Sequence, residues 1–225
     1  MSNLKSDKTI IGVDLSLNGP GFCILTEDSA KWISLHRTSN NIPKMLKKLG
    51  SPFNVFSGSE HVSINIIDKE TYSGEYYDKE RQKILNAIYF SNIVMELLDP
   101  YLNENTLVGM EGFSFASNGN SLIDIVTTST LVRSAIVKKI NPNNFFVISP
   151  TTIKKYAVKG NAKKFELYDK IIESEDERLS PLTKTLKTNK SVWVKPSGKV
   201  EDPCSDIIDA TWISLFVEEN FKKLL

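Results

Sequence analysis

The sequence predicts an α/β fold, a mixed five-stranded sheet flanked by helices, and three observations carry that expectation. Three short apolar runs open the chain with tight connections between them, at Thr9–Asp14, Gly21–Thr26 and Lys31–His36, which reads as a strand meander. Further strand-length apolar runs then alternate with longer stretches of helical periodicity. With 225 residues and 40% hydrophobic content, the chain can bury a substantial core.

Taken in order, the first two strands form a hairpin through Asn18-Gly19-Pro20-Gly21, a cluster of turn formers. Residues 40–77 are polar and rich in turn formers, with a candidate strand at Val62–Ile67 that the five-strand count leaves out. Asp78 reads as an N-cap with Glu80 in the first turn of a helix that carries Ile84, Ile88, Met95 and Leu98 inward and stops before Pro100. Thr106–Met110 is the fourth strand. Ser121–Ile140 is a helix with apolar residues on more than one side, among them Leu122, Ile125, Val126, Val132 and Ile136. Phe145–Ile148 is the fifth strand and Ala162–Glu173 another helix. Asp202 and Pro203 fit N-cap and N1 of a last helix running to Phe221.

Composition narrows the setting. No apolar run approaches the roughly 18 residues of a membrane span, and the first eight residues lack the apolar core of a signal peptide. Cys23 and Cys204 have no metal-type spacing and read as buried, reduced thiols. An intracellular, cytoplasmic protein is expected. The net charge of +1 is uninformative, but its distribution is not. Residues 125–164 contain no acid yet hold Arg133, Lys138, Lys139, Lys154, Lys155, Lys159, Lys163 and Lys164. Residues 180–200 are also acid-free and lysine-rich. Either stretch alone could be a solvated face; together they read as a phosphate-binding surface.

Four carboxylates point to a chemistry. Asp14 ends the first apolar strand and Glu111 the fourth, while Asp206 and Asp209 sit three apart and so share one face of the last helix. Desolvating an unpaired carboxylate costs several kcal/mol, so acids at buried strand ends imply a cationic partner. Mg²⁺, a hard cation that takes few protein oxygens, suits them. In a two-metal site the ions clamp the attacking water and the leaving oxygen of an in-line displacement. Asp14, central in the sheet, is the choice to bridge both ions, with Glu111 on one and Asp206 and Asp209 on the other.

A meander followed by strands alternating with helices is the layout of the RNase H-like fold. Within it, Ile11-Gly12-Val13-Asp14-Leu15-Ser16-Leu17-Asn18-Gly19-Pro20-Gly21 resembles the opening motif of RuvC-like Holliday junction resolvases. Val108-Gly109-Met110-Glu111-Gly112-Phe113-Ser114-Phe115 resembles their second acidic strand and the loop after it. Pro150-Thr151-Thr152-Ile153-Lys154-Lys155 and Gly160-Asn161-Ala162-Lys163-Lys164 resemble their basic segment, and Asp206-Ile207-Ile208-Asp209-Ala210 their final D-x-x-D-A helix. The motifs run in order through most of the chain; jointly they are specific, although each alone is weak. The Gly-Asn-Ala-Lys-Lys spelling and the long segment after the third strand are closer to phage-borne members, which would place the protein in a host cell's cytoplasm.

The resemblance implies a single nuclease domain over residues 1–225, with insertions at about 38–77 and 175–200, acting as a Mg²⁺-dependent crossover junction endodeoxyribonuclease. It would use two ions per active site, Mn²⁺ substituting for Mg²⁺, and leave 5′-phosphate and 3′-hydroxyl ends on branched DNA. It also implies an aromatic after the second acid that stacks on bases, for which Phe113 and Phe115 are the candidates. Lys154, Lys155, Lys159, Lys163 and Lys164 would meet the DNA backbone. A four-way junction has two-fold symmetry, so paired cuts imply a homodimer. The Ser121–Ile140 helix could supply its interface through an outward position such as Ile125 or Val132.

Plainer readings compete. Asp14 could cap the turn to Asn18, Glu111 could be a surface acid, and Asp206 an exposed helix residue. Asp202, just before Pro203, fits a cap better than a ligand, and Trp193 fits a core anchor better than a DNA wedge. Two other functions remain open: a catalytically idle branched-DNA-binding protein, and an actin-like ATPase or kinase. The second needs Gly-rich phosphate loops and a Gly-Gly adenosine motif that this sequence lacks.

Overall fold

The computed structural model describes residues 8–38, 56, 59–112 and 119–221. Among them, six strands form one sheet: β1 (Ile10–Asp14), β2 (Gly21–Leu25), β3 (Ala30–Thr38), β4 (Val62–Asp68), β5 (Leu107–Glu111) and β6 (Phe145–Ile148). Their order is β4-β3-β2-β1-β5-β6. The first three pair antiparallel, whereas β5 runs parallel to β1 and β6 parallel to β5. This is the RNase H-like arrangement expected from the sequence. The sixth strand is the Val62–Ile67 segment, which pairs parallel with β3 over Trp32–Thr38 and extends the sheet at that edge.

The helices are α1 (Tyr76–Leu98), α2 (Gly119–Val137), α3 (Pro150–Ala157), α4 (Lys164–Ile172), α5 (Ser180–Thr188), α6 (Lys190–Trp193) and α7 (Cys204–Phe221). Period-2 alternation along the strands divides the core into two layers. Ile11, Val13, Phe22, Ile24, Val108 and Met110 pack under α1 and α2 through Phe90, Val94, Leu98, Val132 and Ile136. Ile10, Cys23, Leu25, Trp32 and Leu107 face the other way, against α7, α4 and α5.

Several helices differ from expectation. In α1 the buried face is Asn86, Ala87, Phe90, Ser91, Val94 and Leu98, while Ile84 and Ile88 are 53% and 42% exposed. The helix therefore carries apolar residues on two faces, and the small and aromatic one packs on its neighbours. Val132 of α2 is buried against the sheet rather than outward; Ile123 and Val126 are the exposed apolar positions of that helix. The basic segment at Pro150 is a helix capped by Ser149, whose Oγ accepts from Thr152 N at 3.1 Å. Residues 175–200 are lysine-rich outside but bury Leu179, Leu182, Leu186, Trp193 and Val200 in the α7-side core. Trp193 stacks on Phe56 with ring centroids 5.0 Å apart, so it is a core anchor. The last helix begins at Cys204, two residues after Asp202. Both cysteines are free and buried.

One device sets the position of α7. Along β1 the residues on its side are Ile10, Gly12 and Asp14; along β5 they are Leu107, Gly109 and Glu111, with Gly12 directly opposite Gly109. A Cβ on Gly12 would overlap the Ala210 carbonyl oxygen and crowd Ser214 N, and one on Gly109 would overlap Val217 Cγ2. Gly21 of β2 likewise lies against the Asp206 backbone. With no side chains in the way, α7 lies directly on the strand backbones, one step before the two acids.

Candidate active site

Glycine followed two residues later by an acid, in both β1 and β5, places Asp14 and Glu111 just beyond the floor on which α7 rests. The first two turns of α7 bring Asp206 and Asp209 to the same end of the sheet. Asp14, Asp206 and Asp209 are 9%, 8% and 9% exposed, and Glu111 is half-buried. The exposed-helix alternative thus fails on burial for Asp206. The turn after β1 is closed by Ser16, whose Oγ accepts from Gly19 N at 2.9 Å.

Electrostatics bind the four acids into one unit. Asp14 and Glu111 share a hydrogen bond between their carboxyls. Burial, reinforced by the Asp14 charge, pushes Glu111 up to about 7. Burial, with the charges of Asp14 and Asp202 adding to it, pushes Asp206 up to about 9. Asp14 is also raised by burial, against the pull of Lys164 and the hydrogen bond from Glu111. Lys164, the first residue of α4, is ion-paired with Asp209 Oδ2, and its charge lowers the pKa of Asp14, Glu111 and Asp206.

The neighbours hold this cluster in place. Arg133 of α2 donates from Nη2 to the Glu111 carbonyl oxygen at 3.1 Å, tying down the end of β5. Gly112 N donates to Ile148 O at 2.8 Å. His36 of β3 lies beside the β1–β2 turn, its pKa lowered by burial and partly restored by Asp202. Asp202 is exposed, yet its charge acts on Asp14, Asp206 and His36.

The basic residues separate by position. Lys164 belongs to the carboxylate cluster, which a reading of local sequence could not show because the contact joins two distant helices. Lys154 is half-buried and near enough for its charge to lower the pKa of Glu111. Lys159 Nζ is paired with Glu166 Oε1 at 2.6 Å. Lys155 and Lys163 are exposed. Phe113 and Phe115 lie outside the described residues.

The donor set is all oxygen, and Asp206 Oδ2 is buried with no hydrogen-bond partner among the described residues, a costly state for a carboxylate that a cation would relieve. That chemistry fits a hard divalent ion such as Mg²⁺. Among the described residues no three acidic, His or Cys side chains are already spaced as a ligand cage; Lys164 supplies the positive charge that holds the acids together.

The fold and these side chains define an RNase H-like α/β protein with an acidic cluster at the carboxyl ends of its central strands. No protein family model and no curated protein matches the sequence. Among solved structures it is similar to Thermus thermophilus RuvC, at 10% identity over 94% of this chain and 95% of that one, with a TM-score of 0.45. It is also similar to T. thermophilus RuvC in complex with a Holliday junction substrate, at 8% identity, the same coverage and a TM-score of 0.41. No helix among the described residues is long and apolar enough to cross a membrane.

Proposed function

We propose that this protein is a RuvC-like, structure-specific DNA endonuclease, a single RNase H-like domain that hydrolyses phosphodiesters in Holliday junctions and other branched DNA. The observation that carries the reading is the meeting of Asp14, Glu111, Asp206 and Asp209 from two strands and one helix around Lys164. A binding surface has no use for clustered buried acids beside phosphates, which argues against an idle module.

Divalent ions, when bound, supply Lewis-acid polarisation of the phosphodiester and a water of lowered pKa. Asp14 interacts electrostatically with both Glu111 and Asp206, so it would be the central carboxylate of the set that holds the ions. Glu111 would serve one and Asp206 with Asp209 the other. Lys164 exchanges Asp209 for a phosphate oxygen of the substrate, bringing a cation to the reacting group. Lys155 and Lys163, outside the cluster, contact the DNA backbone. The products would carry 5′-phosphate and 3′-hydroxyl ends.

Paired cuts on a two-fold symmetric junction require two such sites. The exposed apolar residues Ile84, Leu85, Ile88 and Tyr89 of α1, with Ile123 and Val126 of α2, lie on the face opposite α7. This surface, partly on the same helix as the half-buried Ile125, is the proposed homodimer contact in place of Val132, which is buried against the sheet. The setting would be the cytoplasm.

The test is incubation of the purified protein with end-labelled four-way, flap and linear duplex DNA in Mg²⁺ or Mn²⁺, mapped at nucleotide resolution beside an ATP hydrolysis assay. Symmetric cuts near the branch point, without ATP turnover, are expected. Uncut junctions in both ions would overturn the reading.

A further inference from the structure

Gly19 stands between side chains from two other elements. A methyl group on its Cα would lie 2.9 Å from Asp206 Oδ2 and 3.5 Å from His36 Nδ1. A carboxylate oxygen from α7 and an imidazole nitrogen from β3 therefore converge on one point at the β1–β2 turn. Asp206 is 8% exposed and its Oδ2 has no hydrogen-bond partner among the described residues, so a buried oxygen is aimed at this point with no described group to satisfy it. Asp202 adds negative charge felt by both residues.

The surrounding backbone is fixed rather than loose. Leu35 N donates to Pro20 O at 3.0 Å and Arg37 N to Asn18 O at 2.7 Å, so the turn is laced to the strand that carries His36. Ser16 Oγ holds Gly19 N.

We propose that His36 and Asp206 together hold a divalent cation beside Gly19, and that the imidazole makes this position favour first-row transition ions over Mg²⁺. The inference rests on the reading of Asp206 as a metal ligand in a nuclease site. Mg²⁺ keeps oxygen ligands and dehydrates reluctantly, whereas imidazole nitrogen binds transition ions well. Two protein donors, with water completing the shell, are enough for such an ion. His36 departs from the all-oxygen set of the four acids, and it enters the site from β3, outside the motifs that carry the acids.

The experiment is calorimetric titration of the full-length protein with Mn²⁺ and, separately, with Mg²⁺, for wild type, His36→Gln and Gly19→Ala. Gly19 is not among the glycines with positive φ, so alanine suits its backbone and places a methyl between the two donors. Both variants are expected to lose at least about tenfold in Mn²⁺ affinity, with Mg²⁺ affinity changing much less. An Mn²⁺-to-Mg²⁺ affinity ratio that stays at the wild-type value in folded His36→Gln overturns the proposal. Should that variant fail to fold, the same unchanged ratio in Gly19→Ala overturns it. Uncut branched DNA with every ion would overturn the nuclease reading alone, because the affinity ratio is measured without DNA.

Discussion

Lys164 Nζ is ion-paired with Asp209 Oδ2, so the first residue of α4 is anchored to the second turn of α7 within the acidic cluster. Its charge lowers the pKa of three further acids, Asp14, Glu111 and Asp206. In the proposed nuclease, a lysine in that place would act at the reacting phosphate rather than along the DNA backbone. Lys164→Ala is expected to reduce cleavage by roughly 10²-fold, the scale for removing one transition-state donor, while junction affinity falls only slightly. Lys155→Ala should do the reverse. It should weaken binding to all DNA about equally and make the plot of log affinity against log salt shallower by roughly one unit. Filter binding and single-turnover kinetics on both variants separate the two roles.

Asp206 makes metal-free stability depend on pH in a definite direction. Its folded-state pKa is about 9, above the value of roughly 3.9 for an unfolded Asp. Between those values the folded state binds the proton more strongly than the unfolded state does. Stability is therefore highest below the unfolded pKa and falls as pH rises through the window, levelling off above about 9. Glu111, raised to about 7, acts in the same sense over a narrower window. Asp206→Asn is expected to flatten this dependence and to stabilise the protein at pH 8 by at least about 1 kcal/mol. Urea unfolding in chelator at pH 5 and pH 8 measures it.

Gly12→Ala tests the seating of α7. The added methyl would meet the Ala210 carbonyl oxygen and Ser214 N, both backbone atoms that cannot swing aside. The helix must lift, at a cost of about 1–3 kcal/mol, and Asp206 and Asp209 move away from Asp14 with it. Chemical denaturation should show the loss of stability, and cleavage should fall by more than the folded fraction alone explains. By contrast, Gly160→Ala meets only a side-chain methyl at 3.3 Å and a more distant carbonyl, and should be mild.

Strands and acids were legible because each is written locally. Thr9–Asp14 and Thr106–Glu111 are apolar runs ending in a carboxylate, and three-residue spacing alone puts Asp206 and Asp209 on one helical face. The recurring Gly-x-acid pattern in β1 and β5 was the available signal for the close approach of α7. What failed was the choice between two apolar faces. Ile84 and Ile88 fit a helical stripe as well as Ala87, Phe90 and Val94 do, and only the packing partner distinguishes them. Ser149-Pro150 was a readable cap and first-turn proline for α3. Neither the Lys164–Asp209 pair nor the approach of His36 to Asp206 has a local signature, since each joins elements distant in sequence.

The apolar surface of α1 and α2 should hold two copies together. Ile88→Glu and Ile123→Lys place charge at positions 42% and 62% exposed, where the monomer fold tolerates them. Each is expected to shift light-scattering mass from dimer to monomer and to lower paired cutting more than nicking. A wild type that is monomeric at working concentration yet cuts both strands symmetrically would refute the interface.

The most direct test of the acidic site compares wild type with Asp14→Asn on one labelled four-way junction in Mg²⁺, scoring cleavage and binding in the same samples. Asp14 touches Glu111 through a shared hydrogen bond and acts electrostatically on Asp206, so its neutralisation should disable the whole cluster. The expected result is junction cleavage by wild type and loss of at least about 10³-fold in rate for the variant, with affinity for the junction retained. Cleavage by folded Asp14→Asn at the wild-type rate would contradict the account.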